Sequence, residues 1–407
     1  MTTIPAKHII ISGAGIAGLT AALALAAKGF SVSIFDRTPA LSEVGAGLQL
    51  APNATRLLAR LGVLDRLLPQ AVTPDALYLK NGANGKTLTR MGLGPAAEAR
   101  WNAPYIVCHR ADLQAALVRA AEDHPAITLK LGANVISHSV SEGGVTVQID
   151  AGDRIEEHQG ALLIGCDGVW SMRRSVAAHD GARFTGHIAW RASLAAGAVP
   201  DIFQTTLGEK NSVSAWLGRG VHFIAYPLKA GKSFNFVAIT RGRDPGREWS
   251  SKGDSIALQA AFSGWHPSIH AVIRAAAEQW TFWPLFQMPS PRFILSARTV
   301  LLGDAAHAMT PFAAQGAAMA IEDACALAAA LSGEEAEWPA ALAMFNEERT
   351  ARIAKVARRG SLNRFAYHAA GPLALGRNML FRARPPERFL DDLDWLYGYD
   401  AVAAVQS

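Results

Sequence analysis

The opening of the chain carries the periodicity of a parallel strand followed by a helix. His8-Ile9-Ile10-Ile11 is a short β-branched run fit for a buried parallel strand. A glycine turn follows at Gly13 to Gly18, and Ile16 to Lys28 is small and apolar, as a helix lying on a sheet requires. Gly29 stops that helix. Ser31 to Phe35 is a second strand, so the chain begins with a strand–helix–strand unit. Residues 54–68 repeat apolar positions at helical spacing, 75–104 hold short strand-like pieces among Gly, Asn and Pro, and 111–123 is helical again. Alternation around Gly143-Gly144 predicts a hairpin over 134–158, and Leu162-Leu163-Ile164 reads as another buried strand.

From 184 to 240 the pattern changes to strands with alternating faces and many aromatic residues, which predicts a mostly antiparallel sheet. Residues 299–302 return to a buried strand, and helices are expected over 316–332 and 337–360. The fold class is α/β. A Rossmann-like domain is expected, with an inserted, mostly antiparallel β-sheet substrate domain and C-terminal helices. The first domain is discontinuous (1–74, 105–183 and 287–333), the substrate domain takes 75–104 and 184–286, and 334–407 is the helical tail.

Length and composition agree with two soluble domains: 407 residues, half of them hydrophobic and 18% charged. The net charge of +5 is small, and nothing points to nucleic acid. The densest basic group, Arg349, Arg352, Lys355, Arg358 and Arg359, has helical spacing and reads as a solvated helix face. Cys108, Cys166 and Cys325 lie far apart, which suits a reduced, cytoplasmic protein without disulfides or a thiolate metal site. No metal is expected. Residues 9–27 are apolar, but three glycines and Lys28 argue against a signal peptide or membrane span. The oligomeric state stays open between monomer and homodimer.

Gly13-Ala14-Gly15-Ile16-Ala17-Gly18 matches the dinucleotide fingerprint GxGxxG between strand and helix. Gly13 permits the tight turn, Gly15 lets a pyrophosphate approach the backbone, and Gly18 lets helix and strand pack closely. Asp36, followed by Arg37, ends the second strand, where a carboxylate can bond ribose hydroxyls. This motif alone does not separate FAD from NAD.

Three further segments do: His109-Arg110-Ala111-Asp112-Leu113, Gly165-Cys166-Asp167-Gly168, and the run Gly303-Asp304-Ala305-Ala306-His307 through Pro311 to Gly316-Ala317. With the first motif they resemble the class A flavoprotein monooxygenases of the para-hydroxybenzoate hydroxylase fold, nearest the salicylate, 3-hydroxybenzoate and 6-hydroxynicotinate hydroxylase branch. The resemblance implies FAD as cofactor, NAD(P)H and O2 as co-substrates, and hydroxylation of a small aromatic ring through a flavin C4a-hydroperoxide. It implies that Asp304 bonds the ribityl chain and that Pro311 lies beside the isoalloxazine. Gly316 and Ala317 would open a helix aimed at the flavin edge that becomes negative on reduction. It further implies that Arg110 reaches the ribityl or phosphate part, Val135 the adenine through its backbone, and Asp167 and Gly168 both nucleotides. Gly45 to Asn53, including Gly47 and Gln49, would be a glycine-rich loop against the flavin, with Gln49 toward the active site; the alternative is a plain loop with Asn53 as a helix cap.

His222, Ile224 and Tyr226 share one strand face. The resemblance makes His222 the base or its hydrogen-bond partner and Tyr226 the residue that orients the ring, against a structural His and a core Tyr. His307 reads as structural. Arg191, after Trp190, reads equally as an ion-pair partner or a substrate anchor. Trp101, Trp216 and Phe312 read as pocket lining or ordinary core. Asp36 stands in place of the family's more usual Glu, Cys166 in place of Ala, and Gln287 where relatives carry charge. No arginine stands out as a carboxylate clamp, which weakens a benzoate-type substrate more than the hydroxylase reading. The alternatives are an epoxidase or hydroxylase of a larger substrate, an NAD(P) dehydrogenase, or a flavin-binding redox carrier without enzyme activity.

Overall fold

A computed structural model describes residues 7–41, 47–174, 181–244 and 251–406. The opening unit is β1 (His8–Ser12), α1 (Ile16–Ala26) and β2 (Ser31–Asp36). Then come β3 (Gly47–Leu50), α2 (Pro52–Arg60), β4 (Ala76–Asn81), β5 (Thr87–Gly92), β6 (Ile106–His109), α3 (Arg110–Glu122) and β7 (Ile127–Leu131). The expected hairpin gains a third strand: β8 (Asn134–Ser141), β9 (Gly144–Asp150) and β10 (Ile155–Gly160), followed by β11 (Leu162–Gly165). Next are β12 (Arg183–Ala195), β13 (Ser212–Gly218), β14 (Val221–Leu228), β15 (Ser233–Arg241), β16 (Ser251–Lys252) and β17 (Thr281–Gln287). The chain ends with β18 (Ile294–Ser296), β19 (Thr299–Leu301), α4 (Gly316–Ala330), α5 (Trp338–Tyr367), α6 (Gly371–Ala383) and short helices.

One sheet runs β18-β19-β11-β1-β2-β7 and is parallel apart from β18. Its central strand carries Ile9, Ile10 and Ile11, all fully buried, because helices or the β8–β10 meander cover both faces. The small side chains of α1 and α4 let these two helices pack closely on the same side. The second sheet runs β16-β17-β12-β15-β14-β13-β4-β5, antiparallel except for β4 with β13. One of its faces buries Trp216, Phe223, Phe236 and Trp280 against short helices, forming a separate core. The opposite face holds His222, Ile224 and Tyr226, and Ile224 and Tyr226 pack against the first core.

Four expectations need correction. Residues 54–68 are not one helix: α2 stops at Arg60, and Gly62 turns the chain with φ +67°. Residues 47–50 are a strand paired with β6 rather than a free loop, while Gly45 and Ala46 lie outside the described residues. Asn53 is no cap, since Ala51 caps α2 and the Asn53 side chain is fully buried. Arg349 and Arg352 do not lie on a solvated face. They are buried, and of that basic group Lys355 and Arg358 are the exposed members.

Candidate active site

The glycine turn has the steric properties its sequence suggests. Gly13 has φ +110°, and a Cβ there would lie 2.4 Å from the Cys166 carbonyl oxygen. A Cβ on Gly18 would lie 1.9 Å from the Gly13 carbonyl oxygen, so close strand–helix packing demands glycine. A Cβ on Gly15 would meet nothing within 4 Å, which leaves the space above the N-terminus of α1 open. Asp36 is tied to this turn: its carboxylate accepts the Ala14 N–H at 2.7 Å and the Thr38 N–H at 2.9 Å. Arg37 beside it is exposed.

The segment 303–317 comes to the same place. Gly303, with φ +59°, would bring a Cβ to 3.0 Å from Ala17 of α1. Asp304 begins a short helix and is exposed, and its carboxylate makes no hydrogen bond or ion pair among the described residues. Gly303 rather than Asp304 occupies the cap position. Pro311 is exposed at the start of a 3-10 turn, and Gly316 and Ala317 open α4 with no side chain capping its N-terminus. Four features thus suit a polyanionic, hydroxyl-rich nucleotide: the open space at Gly15, the uncapped α4, and, without partners among the described residues, the Asp304 carboxylate and one buried Asp167 oxygen. The other Asp167 oxygen pairs with Arg173 at 2.7 Å, and Arg173 donates to the Val135 carbonyl at 3.1 Å. Arg110 opens α3, half-buried, directly after β6.

The residues expected on the substrate side form rows across the second sheet. His222 registers with Ile239 and Ala189, Ile224 with Val237 and Arg191, and Tyr226 with Asn235 and Ser193. Residues in register share a face, so Arg191 stands in the row between His222 and Tyr226, two strands away. Gly47 meets this face: its N–H donates to Asn235 at 3.1 Å, and a Cβ there would lie 2.6 Å from the Tyr226 ring. Gln49, two residues on, accepts the Tyr105 hydroxyl at 2.7 Å. Burial pushes the Tyr226 hydroxyl well above its ordinary range, with nearby Arg191 opposing, and so keeps it a proton donor. The Arg191 guanidinium makes no hydrogen bond or ion pair among the described residues; it lies over the Trp283 ring at 5.2 Å. Burial pushes its pKa down to about 10, with Tyr226 opposing and Arg110 adding to the shift. Phe312 lines the site, 5.6 Å from the His222 ring. Trp216 faces the other core, and Trp101 packs on Tyr397.

The profile of a family described as an FAD binding domain matches residues 7–360. The chain belongs to this family. It is an FAD-dependent monooxygenase of the aromatic-hydroxylase type, with NAD(P)H as reductant. It is 34% identical to 3-hydroxybenzoate 6-hydroxylase of Polaromonas naphthalenivorans (strain CJ2), over 96% of each chain. It is 31% identical to 6-hydroxynicotinate 3-monooxygenase of Bordetella bronchiseptica (strain ATCC BAA-588 / NCTC 13252 / RB50), over 97% of this chain and 96% of that one. A salicylate hydroxylase solved as a substrate complex shares the fold, with TM-score 0.82 at 23% identity, over 100% of this chain and 98% of that one. NAD(P) dehydrogenase and carrier readings are thereby set aside.

Several residues beside this site are joined in a buried network that their sequence did not reveal. Glu322 and Asp323, both fully buried on α4, are held by cations from other elements. Arg349 bonds Asp323 at 2.9 Å and Glu322 at 2.9 Å, and Arg352 bonds Glu322 at 2.8 Å. His307 lies 2.5 Å from Asp323, in keeping with a structural role. Asn53 donates to Glu322 at 2.7 Å and to Gln315 at 3.0 Å. The network fastens α2, the 303–307 turn and α5 to the helix whose N-terminus opens at Gly316. Among the described residues no group of side chains is arranged to hold a metal ion. No single described helix is long and apolar enough to cross a membrane.

Proposed function

We propose that the protein hydroxylates a phenolic or hydroxy-heteroaromatic ring bearing a carboxylate, and that the substrate lies across the rows of His222, Ile224 and Tyr226. The observation that carries this is Arg191, a cation on the same sheet face with no counter-ion among the described residues. A half-buried cation without a counter-ion is costly, and an anionic substrate group relieves that cost. His222 accepts the phenolic proton, which makes the ring more nucleophilic, and the Tyr226 hydroxyl donates to the ring substituent and orients it. Ile224, Val237 and Phe312 supply apolar walls that keep water away. Gly13, Ala14, Gly15, Gly18, Asp36, Arg37, Arg110, Val135, Asp167, Asp304, Pro311, Gly316 and Ala317 would hold FAD, with Gly47 and Gln49 between it and the substrate face. Bound FAD, reduced by NAD(P)H, supplies the activation of O2. The buried free thiols of Cys108, Cys166 and Cys325 support a reducing, cytoplasmic setting.

The test is NAD(P)H oxidation with product and H2O2 analysis, using 3-hydroxybenzoate, salicylate, 6-hydroxynicotinate and phenol. Arg191→Gln should raise KM for the carboxylates by about 10–100-fold, the value of one charged hydrogen bond, and leave phenol unaffected. His222→Ala should slow hydroxylation by ~10²-fold or more and leave flavin reduction unchanged. Equal slowing of both steps removes the role of His222; an unchanged KM in Arg191→Gln removes the anchor.

A further inference from the structure

We propose that His368 is the relay partner of His222, passing the phenolic proton out of the site along a histidine–histidine hydrogen bond. The inference rests on the reading of His222 as the base. His222 Nδ1 lies 2.8 Å from His368 Nε2, although the two are 146 positions apart in sequence. This is the single hydrogen bond of the His222 ring among the described residues. Phe312 at 5.6 Å and Tyr367 at 5.4 Å pack beside the ring. His368 is anchored at both backbone ends. Its N–H bonds the Arg364 carbonyl at the end of α5, and its carbonyl accepts the Gly220 N–H in the turn before β14. The helix end thus delivers an imidazole to the strand that bears His222.

The direction of transfer follows from the surroundings. A bond between two neutral imidazoles holds one proton between them. When His222 Nδ1 donates, its Nε2 is a free base. The phenolic O–H then breaks as an N–H forms at His222 Nε2. The Nδ1 proton of His222 passes to His368 Nε2, and the Nδ1 proton of His368 leaves to water. The phenolate is the product of the step, no electrons change hands, and no buried imidazolium persists. His368 is half-buried where His222 is 2% exposed, which puts the exit on the His368 side.

The groups facing the pair oppose any retained charge: His187 of β12, Arg241 of β15, and Arg364 of α5, with Tyr367 neutral. Burial, then His187, Arg364 and Arg241, push His368 down to about 4. Burial, then His368 and His187, push His222 well below the ordinary histidine range. The pair is therefore neutral at pH 7 and able to cycle.

The test uses FAD-loaded enzyme and His368→Ala, His368→Gln and His222→Ala variants, with 3-hydroxybenzoate and 6-hydroxynicotinate as probes. Hydroxylation by wild type should be level from pH 6 to 8. In His368→Ala it should fall at least about tenfold at pH 7 and climb as pH rises toward the phenol's own ionisation, with flavin reduction unchanged. His368→Gln can hold His222 by a hydrogen bond but has no second ring nitrogen to pass the proton on, so it should keep the sloping profile. A level wild-type-like profile in His368→Gln would show positioning alone and overturn the relay. A second readout needs no turnover: ¹⁵N-histidine spectra should show both rings neutral from pH 8 to about 5, and independent titration of either near 6.5 overturns the pairing. If His222→Ala hydroxylates normally, the base reading fails; if it is slow while the His368 variants behave as wild type, the relay alone fails.

Discussion

Replacing Arg349 by alanine removes the guanidinium that joins both acids of α4. Arg349, Glu322 and Asp323 are each fully buried, so bulk water does not directly replace the lost charge. Glu322 keeps Arg352 and Asn53, and Asp323 keeps His307 and the Gly303 N–H at 3.0 Å, so the acids are under-compensated rather than bare. Breaking a buried pair by deleting one partner costs ~3–5 kcal/mol. At roughly 2–4 °C per kcal/mol for a domain of about 200 residues, Tm should fall on the order of 10 °C. Urea unfolding of the FAD-free protein by circular dichroism gives the energy, and fluorescence of released FAD reports whether α4 still presents its N-terminus. Arg358→Ala, exposed on the same helix, is the control and should stay within about 0.5 kcal/mol of wild type. A loss below about 1 kcal/mol in Arg349→Ala would refute the view that this network fastens the flavin-side helix.

Gly15→Ala has open space around it and a permitted φ of −76°, so the FAD-free fold should be unchanged within about 0.5 kcal/mol while FAD binding weakens; normal FAD affinity by equilibrium titration would place the pyrophosphate elsewhere. Gly47→Ala should push the Tyr226 ring aside, lowering product per NAD(P)H consumed more than it lowers NAD(P)H oxidation; unchanged coupling would show that Tyr226 does not orient the ring. His187, His222 and His368 all have lowered pKa values in the fold, chiefly by burial, so the unfolded chain binds more protons below its ordinary histidine pKa. Stability from these groups is complete above pH ~6.5 and declines as pH falls below it, with His368 itself protonating in the folded state only near about 4. Urea unfolding at pH 7.5 and 5.5 should show the decline, and His368→Gln should reduce it; equal slopes would refute the assignment.

The motifs legible in the chain were those whose chemistry is local. Gly13 turns the chain with φ +110° and Gly18 presses on the Gly13 carbonyl within the same turn, and the alternation of His222, Ile224 and Tyr226 is a property of one strand. The burial of Arg349 and Arg352 was not legible, because spacing on α5 gives a face but not what covers it; here the cover is α4 with two acids. The pairing of Gly47 with Tyr226 and Asn235 joins segments nearly 200 residues apart, and no local pattern marks it.

The sequence by itself therefore determined the α/β class, the nucleotide turn and the flavin motifs, because backbone sterics and strand periodicity act over a few residues. The tertiary structure alone decided which side chains gather around His222 and what holds α4. Arg191 has no counter-ion among the described residues, His368 meets His222, and Arg349 lies between Glu322 and Asp323 because two sheets and a long helix converge. Burial and pairing in that convergence set the charge each of these groups can carry.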